Sequence, residues 1–315
     1  MACLHPPALA PSSRVAVTCP ASPADPERLE RGIARLRGLG WEVVVGATCA
    51  ARDGIWAGDD GARAQELRGF LLDPSIHAIF AARGGVGCMR LLPHLDDLAE
   101  GPAPRWIIGR SDITALHLRF WDRFGWVGIS GTMVATDLGG EDPGYAWQQT
   151  MRLLCDPEPL GRITEEPLDV WIAGRAEGAL IPANLSVLTS MVGTPYAPPL
   201  HGTILVLEEI DEPPQRIDRM LTQLRFAGAL DGLAGLVLGQ FTACTPRETS
   251  LPPDAAIAVL RDHAKRIGVP TLAGLPYGHE TRFAPLPIGV QARLQADPPG
   301  LVLLEGAAAR RDKGE

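Results

Sequence analysis

The sequence contains no apolar run of 18 residues, and no Lys or Arg precedes Arg14. The first absence argues against a membrane-spanning helix, and the second argues against the charged start of a secretory signal peptide. We therefore expect a cytoplasmic protein that does not enter a membrane.

Cysteine and histidine are present, but they do not cluster. The six cysteines include no Cys-x-x-Cys pair, and the seven histidines include no His-x-x-x-His pair. These spacings predict free thiols in a reducing compartment. They predict neither a metal site nor a bound cofactor.

Acidic residues outnumber basic residues in the sequence. The 315 residues include 29 Lys and Arg against 37 Asp and Glu, which gives a net charge of -8. A nucleic-acid binder needs a basic face for the phosphates, so we expect no nucleic-acid partner. The apolar fraction of 46% is enough for a full core, and the length allows one large domain or two medium ones.

The first part of the chain alternates short apolar strands with helical periods. Residues 14–18, 41–45, 78–82 and 106–108 are typical strands, and residues 25–39 have a helical spacing of apolar side chains. This alternation predicts a doubly wound parallel sheet layer with right-handed crossovers. Functional loops of such sheets lie at the carboxyl ends of the strands.

The character of the sequence changes after residue 137, where glycine- and proline-bearing loops begin. We predict an N-terminal α/β domain over residues 1–140, a linker over 141–168 and a C-terminal domain over 169–315. The later strand signals are shorter and more mixed, so the second domain is predicted to be a mixed, β-rich α/β domain.

Ser111 lies between an apolar strand and a helical segment. The strand at 106–108 ends at Gly109, and the helical segment begins near Ala115. A serine on such a tight turn presents its hydroxyl at the sheet edge beside helix amides, which suits a nucleophile. On the local sequence alone an N-cap is the commoner role of such a serine, so both roles stay open.

Two further residues have surroundings that suit catalysis. Glu208 follows the apolar strand at 203–207, where a carboxylate can be held rigidly enough to orient an imidazole. His279 follows Gly278 on a proline-bearing loop, and an imidazole can act as a general base near neutral pH. Taken singly, a solvated acidic loop and a surface histidine are the commoner interpretations.

The chain order of these three residues is Ser, Glu, His, which is the order of α/β-hydrolase triads. Ile113 stands where the second glycine of their Gly-x-Ser-x-Gly turn belongs. The chain is therefore not an ordinary α/β-hydrolase, and a triad has to be judged on its geometry.

A glycine-rich loop, Arg-Gly-Gly-Val-Gly at 83–87, follows the third predicted strand. Its spacing fits neither of the common nucleotide-binding motifs. Adjacent glycines leave backbone N–H groups uncovered, so the amides of Gly85 and Asp112 are candidates for the two halves of an oxyanion hole. A tight turn that needs positive φ angles would explain the same glycines, and the two roles are compatible.

Together, several short motifs resemble the LD-carboxypeptidases, the serine peptidase class of muramoyltetrapeptide carboxypeptidase and the microcin C immunity peptidase. Each motif would be a weak signal by itself, but they occur jointly in the order of the family. They are Arg-Gly-Gly-x-Gly at 83–87, Gly-x-Ser-Asp-Ile-Thr at 109–114, Leu-Glu-Glu-Ile at 207–210, Arg-Ile-Asp-Arg-Met-Leu at 216–221, and Gly-His-Glu at 278–280 with Leu-Pro-Ile-Gly at 286–289.

The resemblance implies a metal-free serine carboxypeptidase of murein recycling that releases C-terminal D-alanine from murein tetrapeptide by cleaving an L,D amide bond. It implies Ser111 as the nucleophile, His279 as the general base and Glu208 as the acid that orients the imidazole. The amides of Gly85 and Asp112 would bind the oxyanion, and an acyl-enzyme would then be hydrolysed.

Some positions along the implied substrate path depart from the pattern of the family. Val86 stands where Tyr is usual, Pro-Ala precedes Asn184 in place of Gly-Gly, and residues 130–133 replace a His-Gly-Pro-Met type segment. By resemblance, we expect Gly84, Val86 and Asn184 to contact the substrate.

Two other functions stay open at this point. An amidase of the microcin C immunity type would detoxify aminoacyl-nucleotide antibiotics, and a non-catalytic relative would bind muropeptides without cleaving them. The expected partner is a small peptide or muropeptide, and the resemblance allows for a homodimer.

Overall fold

The computed structural model describes residues 3–98, 103–142 and 144–310. It divides into two compact units. The N-terminal unit comprises Met1–Glu158, Pro285–Gly289 and Gly306–Glu315, and the C-terminal unit comprises Pro159–Ala284 and Val290–Glu305. Each unit combines a sheet with helices, which confirms the predicted two-part α/β fold class.

The described residues contain thirteen strands and eight α-helices. The strands are β1 (Arg14–Thr18), β2 (Glu42–Val45), β3 (Ala78–Ala81), β4 (Trp106–Gly109), β5 (Ile129–Ser130), β6 (Asp169–Ile172), β7 (Arg175–Asn184), β8 (Ile204–Ile210), β9 (Gly235–Thr242), β10 (Thr271–Ala273), β11 (Leu286–Pro287), β12 (Gln291–Ala296) and β13 (Pro299–Leu303). The helices are α1 (Pro26–Gly38), α2 (Asp60–Leu72), α3 (Cys88–Leu91), α4 (Thr114–Phe124), α5 (Gly144–Cys155), α6 (Leu185–Met191), α7 (Pro214–Phe226) and α8 (Ala255–Ile267).

The sheet of the N-terminal unit has the strand order β11-β5-β4-β3-β1-β2. Strands β1 to β5 pair in parallel, and only the short β11 runs antiparallel, against β5. The predicted parallel layer is thus confirmed. Strands β3 and β4 are direct neighbours, with Phe80 opposite Ile108. Their carboxyl ends therefore bring the glycine-rich loop after β3 to the same sheet edge as the turn that holds Ser111.

Helix α1 shows how local sequence builds this unit. Asp25 is the N-cap, and its carboxylate accepts the N–H of Arg28 at 2.9 Å. Leu29, Ile33 and Leu36 form the buried stripe of the helix. Each such side chain contributes roughly 1.5–3 kcal/mol when it leaves water, so the stripe holds α1 against the rest of the unit.

The sheet of the C-terminal unit has the order β13-β12-β7-β8-β9-β10-β6. The four central strands β7 to β10 are parallel, whereas β6, β12 and β13 pair antiparallel. Parallel neighbours require crossover connections, and α6, α7 and α8 occupy the three intervals between them. The predicted mixed, β-rich character of this unit is confirmed.

Strand β7 was not predicted, because Gly178 and Pro182 interrupt its apolar pattern. Proline cannot donate a hydrogen bond to a ladder and is confined to strand edges. The structure meets this requirement, since β12 pairs with β7 only as far as Ala179. The N–H of Leu180 still donates to the carbonyl of Val290, directly before β12, at 2.9 Å. Pro182 lies beyond this bond, opposite Val206 of β8.

The segment predicted as a linker, residues 141–168, contains α5. Ala146, Thr150, Leu153 and Leu154 are buried, and the helix belongs to the N-terminal unit. Among the residues that the structure describes, no helix is both long and apolar enough to cross a lipid bilayer.

Candidate active site

Ser111 follows β4 by two residues and begins a short 3-10 turn, Ser111–Ile113, that leads into α4. Its φ angle is +64°, a left-handed conformation that side-chain-bearing residues rarely adopt. Backbone strain of this kind concentrates at functional sites and resembles the sharp turn of a nucleophile elbow. Arg110 caps the turn and Ile113 caps α4, and neither does so through its side chain. Ser111 therefore does not have the N-cap role that its sequence leaves open.

Two glycines make room for this turn. A Cβ atom on Gly109 would lie 2.8 Å from Cγ1 of Ile113, and a Cβ atom on Gly84 would lie 3.0 Å from Cβ of Ser111. Both distances are shorter than ordinary van der Waals contacts. Only glycine thus lets the loop after β3 pack directly against the serine, and the predicted contact residue Gly84 abuts the predicted nucleophile.

The glycine-rich loop is held by a residue that sequence reasoning missed. Ser22 donates its backbone N–H to the Gly84 carbonyl at 3.3 Å, and its hydroxyl accepts the N–H of Val86 at 3.1 Å. Gly85 lies between these anchors with a φ angle of +108° and is exposed. Within its own unit, the Gly85 N–H donates to no described residue.

Asp112 links the loop to the turn. Its carboxylate accepts the N–H of Cys88 at 2.7 Å, and burial raises its pKa. Its own backbone N–H donates to no described residue of the unit. The two predicted oxyanion donors, Gly85 and Asp112, thus lie on two segments that are bonded to each other. Val86 is 44% exposed on the same loop and is accessible to a ligand.

In the C-terminal unit, Glu208 and His279 form a close pair. Nδ1 of His279 lies 2.7 Å from Oε2 of Glu208, whose side chain is 1% exposed. An ionised carboxylate accepts hydrogen bonds and cannot donate one, so the pairing places the imidazole N–H on Nδ1. Nε2 is then the basic nitrogen of the ring. The His279 side chain is 13% exposed, which leaves part of the ring accessible.

Glu209 is also buried, but it has different partners. Its carboxylate accepts the N–H of Ser186 at 2.7 Å and the N–H of Ile210 at 2.8 Å. Desolvation raises the pKa of Glu209. Every residue of β8 from Ile204 to Glu209 is buried, as is usual for a central strand of a parallel sheet, so the two consecutive acids are both buried. The pairing of β8 with β9 also shifts register between Leu207 and Glu209.

Asn184, a predicted substrate contact, is hydrogen-bonded to the two acids of β8. It is 3% exposed, and its amide Nδ2 donates to Glu208 at 3.1 Å and to Glu209 at 3.0 Å. Its Oδ1 accepts the N–H of Val187, which makes it the N-cap of α6. The geometry assigns it to holding the two carboxylates. Because Asn is a preferred N-cap, the Asn-Leu start of α6 could have signalled the capping role, but no local signal marks the bonds to the two carboxylates.

The chain matches two family models. The model of the LD-carboxypeptidase N-terminal domain matches residues 15–131, and that of the C-terminal domain matches residues 177–294.

Two relatives are similar to this chain over most of their length. The chain is 36% identical over 293 residues to a probable murein peptide carboxypeptidase of Bacillus subtilis, which covers 92% of this chain and 91% of that protein. It is 35% identical over 294 residues to a murein tetrapeptide carboxypeptidase of Pseudomonas aeruginosa, which covers 90% and 94%. A solved structure of MccF in complex with glutamyl sulfamoyl guanosine has a TM-score of 0.86, with 97% of this chain and 100% of that one covered. At 23% identity, that likeness concerns the fold alone.

Proposed function

The chain belongs to the LD-carboxypeptidase family, and from this premise we propose that it is a serine carboxypeptidase that hydrolyses an L,D amide bond. In this proposal it releases the C-terminal D-alanine of murein tetrapeptide. The observation that carries the proposal is the 2.7 Å hydrogen bond between Nδ1 of His279 and the buried carboxylate of Glu208. The names of relatives at 35% and 36% identity support a murein peptide as the substrate.

Ser111 is the nucleophile of the proposed reaction. Its hydroxyl attacks the carbonyl of the scissile amide, and Nε2 of His279 accepts the hydroxyl proton. Glu208 keeps the imidazole in the tautomer that leaves Nε2 free, and it stabilises the imidazolium that forms. The imidazolium then returns the proton to the leaving amine of D-alanine, and water hydrolyses the acyl-enzyme by the same route.

The backbone amides of Gly85 and Asp112 bind the oxyanion of the tetrahedral intermediate. Donors of this kind contribute most when they are fixed before the reaction. The hydrogen bonds that the Ser22 hydroxyl accepts from Val86 and the Asp112 carboxylate accepts from Cys88 supply that rigidity. Removal of one such donor in a serine protease costs about 10²–10³ in kcat.

A cavity of the N-terminal unit has two arginines in its lining. It has a volume of about 250 Å³ and is lined by Arg28, Arg83 and Asp25 among others, and the two guanidinium groups also donate to backbone carbonyls. Arg83 immediately precedes Gly84, which abuts Ser111. Murein tetrapeptide carries free carboxylates, and guanidinium groups are well suited to bind them.

The experiment that tests the proposal follows D-alanine release from L-Ala-γ-D-Glu-meso-diaminopimelate-D-Ala by the purified protein, with Ser111→Ala as the inactive control. We expect release by the wild-type protein and none by the variant. A parallel reaction with an aminoacyl-sulfamoyl adenylate tests the amidase. Hydrolysis of that compound alone would replace the carboxypeptidase proposal, and tetrapeptide binding without turnover would identify a non-catalytic binder.

A further inference from the structure

The loop that carries His279, residues 277–284, lacks a helix or strand and needs other restraints. We call it the His279 loop. Its first residue is tied to β9, because the Tyr277 carbonyl accepts the backbone N–H of Gln240 at 2.8 Å. Glu208 restrains the imidazole ring itself. Neither bond restrains the backbone that follows His279.

The side chain of Gln240 supplies that restraint. Its Oε1 accepts the N–H of Glu280 at 3.1 Å, and its Nε2 donates to the carbonyl of Arg282 at 2.9 Å. A carboxamide has an acceptor oxygen and a donor NH₂ group in a single rigid plane. Here the loop bonds to both, so the orientation of the whole group is fixed. One side chain thus spans the segment that begins directly after His279.

Gln240 also contacts the residue before His279. A Cβ atom on Gly278 would lie 2.8 Å from Cβ of Gln240 and 3.0 Å from its Oε1. Gly278 has a φ angle of +155°, so the absence of a side chain serves both its conformation and the close packing. The loop is therefore in contact with Gln240 on both sides of His279.

Other contacts also hold this segment. The N–H of Ala284 donates to the Pro276 carbonyl, and Phe283 is buried, so the end of the loop is anchored. Arg282 pairs with Glu166 at 2.8 Å, but both side chains are exposed. Exposed ion pairs contribute little, since solvent screens them and two long side chains must be ordered.

We propose that Gln240 is a positioning residue that fixes the backbone of the His279 loop while Glu208 fixes the ring. The inference rests on the proposed role of His279 as general base. A catalytic group must be held close to its productive geometry, and a displacement of about 1 Å can lower the rate by about 10²-fold. Loss of the carboxamide contacts would let the imidazole sample positions from which Nε2 accepts the proton poorly.

The test compares Gln240→Ala and Gln240→Glu with Gln295→Ala. Gln295 is a matched control, because its exposed amide also donates to a backbone carbonyl, that of Pro298. Glutamate keeps the acceptor for the Glu280 N–H but loses the donor to Arg282. We expect kcat for D-alanine release to fall about tenfold in Gln240→Ala, with KM within twofold of the wild-type value. The kcat of Gln240→Glu should lie between those of the wild-type protein and Gln240→Ala. The kcat of Gln295→Ala should match that of the wild-type protein.

A second readout does not depend on turnover. In protein labelled with ¹³C-histidine, His279→Gln assigns the Cε1–Hε1 resonance of His279. We expect Gln240→Ala to shift or broaden that resonance and to leave the resonances of His117 and His263 in place. An unmoved resonance overturns the inference, even if the wild-type protein releases no D-alanine. A raised KM with unchanged kcat also overturns it, because it would identify a substrate contact. If Gln240→Ala does not fold, Gln240→Glu carries both measurements.

Discussion

The two units build their parts of the candidate site in different ways. The N-terminal unit uses one short stretch of chain, residues 83–112, in which the glycine-rich loop and the Ser111 turn follow neighbouring strands. The C-terminal unit draws on Asn184, Glu208, Gln240 and His279, which come from separate strands and a loop. In the first unit backbone conformation positions the groups, with support from the side chains of Ser22 and Asp112. In the second unit hydrogen bonds between side chains contribute most of the positioning.

This difference predicts which kind of substitution should disturb each unit. An added Cβ should disturb the N-terminal unit, where glycines allow close backbone approach. A lost carboxylate or amide should disturb the C-terminal unit, where Glu208, Glu209 and Asn184 form one buried network. Buried networks are sensitive because a group left unpaired keeps the full cost of its desolvation.

The largest effect is expected at the nucleophile. Ser111→Ala should lower turnover by about 10⁶-fold, the loss measured for a triad serine in a comparable hydrolase. Steady-state kinetics and a thermal melt measure the effect, with the exposed Ser190→Ala as control. Retention of more than a tenth of wild-type turnover in a folded Ser111→Ala protein would remove the nucleophile assignment.

The next effect separates the two adjacent acids of β8. Glu208→Gln should lower kcat by about 10⁴-fold, because an amide at this position favours the wrong imidazole tautomer. Glu209→Gln should act mainly on stability, since its partners are backbone amides and Asn184. Kinetics and thermal melts on both variants show which acid acts on turnover and which acts on stability. The reverse pattern, a crippled Glu209→Gln with a near-normal Glu208→Gln, would contradict the assignment.

The third prediction contrasts His117 of the N-terminal unit with the carboxylate-paired His279. Nε2 of His117 donates to the Ile107 carbonyl at 3.0 Å, its Nδ1 has no partner among the described residues, and burial lowers its pKa to about 4. In the unfolded chain the pKa of this histidine is near 6.5, so the unfolded state binds the proton more readily than the folded state. His117 therefore stabilises the fold above about pH 6.5, and this stability is lost as the pH falls to about 4.

The shift corresponds to roughly 3 kcal/mol of unfolding free energy. Urea unfolding at pH 7 and pH 4 measures it through tryptophan fluorescence, because six of the seven tryptophans belong to the N-terminal unit. Compared with the wild-type protein, His117→Gln should lose about 3 kcal/mol less between the two pH values. An equal loss in both proteins would show that His117 does not carry this pH dependence.

The smallest effect is expected from a change that tests the close backbone packing in the N-terminal unit. Gly84→Ala places a Cβ 3.0 Å from Cβ of Ser111 and 3.1 Å from the Arg110 carbonyl, so the turn must move by a few tenths of an ångström. We expect kcat/KM to fall about tenfold. Gly69→Ala is the control, because nothing lies within 4 Å of its added Cβ on α2. It should keep full activity and gain up to about 1 kcal/mol of stability. Equal kinetics in the two variants would contradict the close-packing explanation.

Much of the N-terminal unit could be predicted, because its signals are local. Strands β1 to β4 are apolar runs bounded by turn residues, and α1 carries a cap and an apolar stripe within its own sequence. In the C-terminal unit, the acid that follows the apolar strand signal, Glu208, was also predicted to orient an imidazole, and the structure pairs it with His279.

Other features depend on partners that are distant in sequence. Residues 285–289 return to the N-terminal unit as β11, although they follow the His279 loop directly. The pairing of Asn184 with both acids and the contacts of Gln240 with the His279 loop have no motif, since each joins different strands.

Local sequence was sufficient for the α/β class of both units, for the strand-to-helix turn at Ser111 and for the glycines that surround it, because backbone propensity and spacing act over a few residues. Tertiary contacts set the burial of both Glu208 and Glu209, the choice of Glu208 as partner of His279 and the role of Asn184. The physical reason is that hydrogen-bond partners and burial are properties of the assembled sheet, and no single segment of the chain specifies them alone.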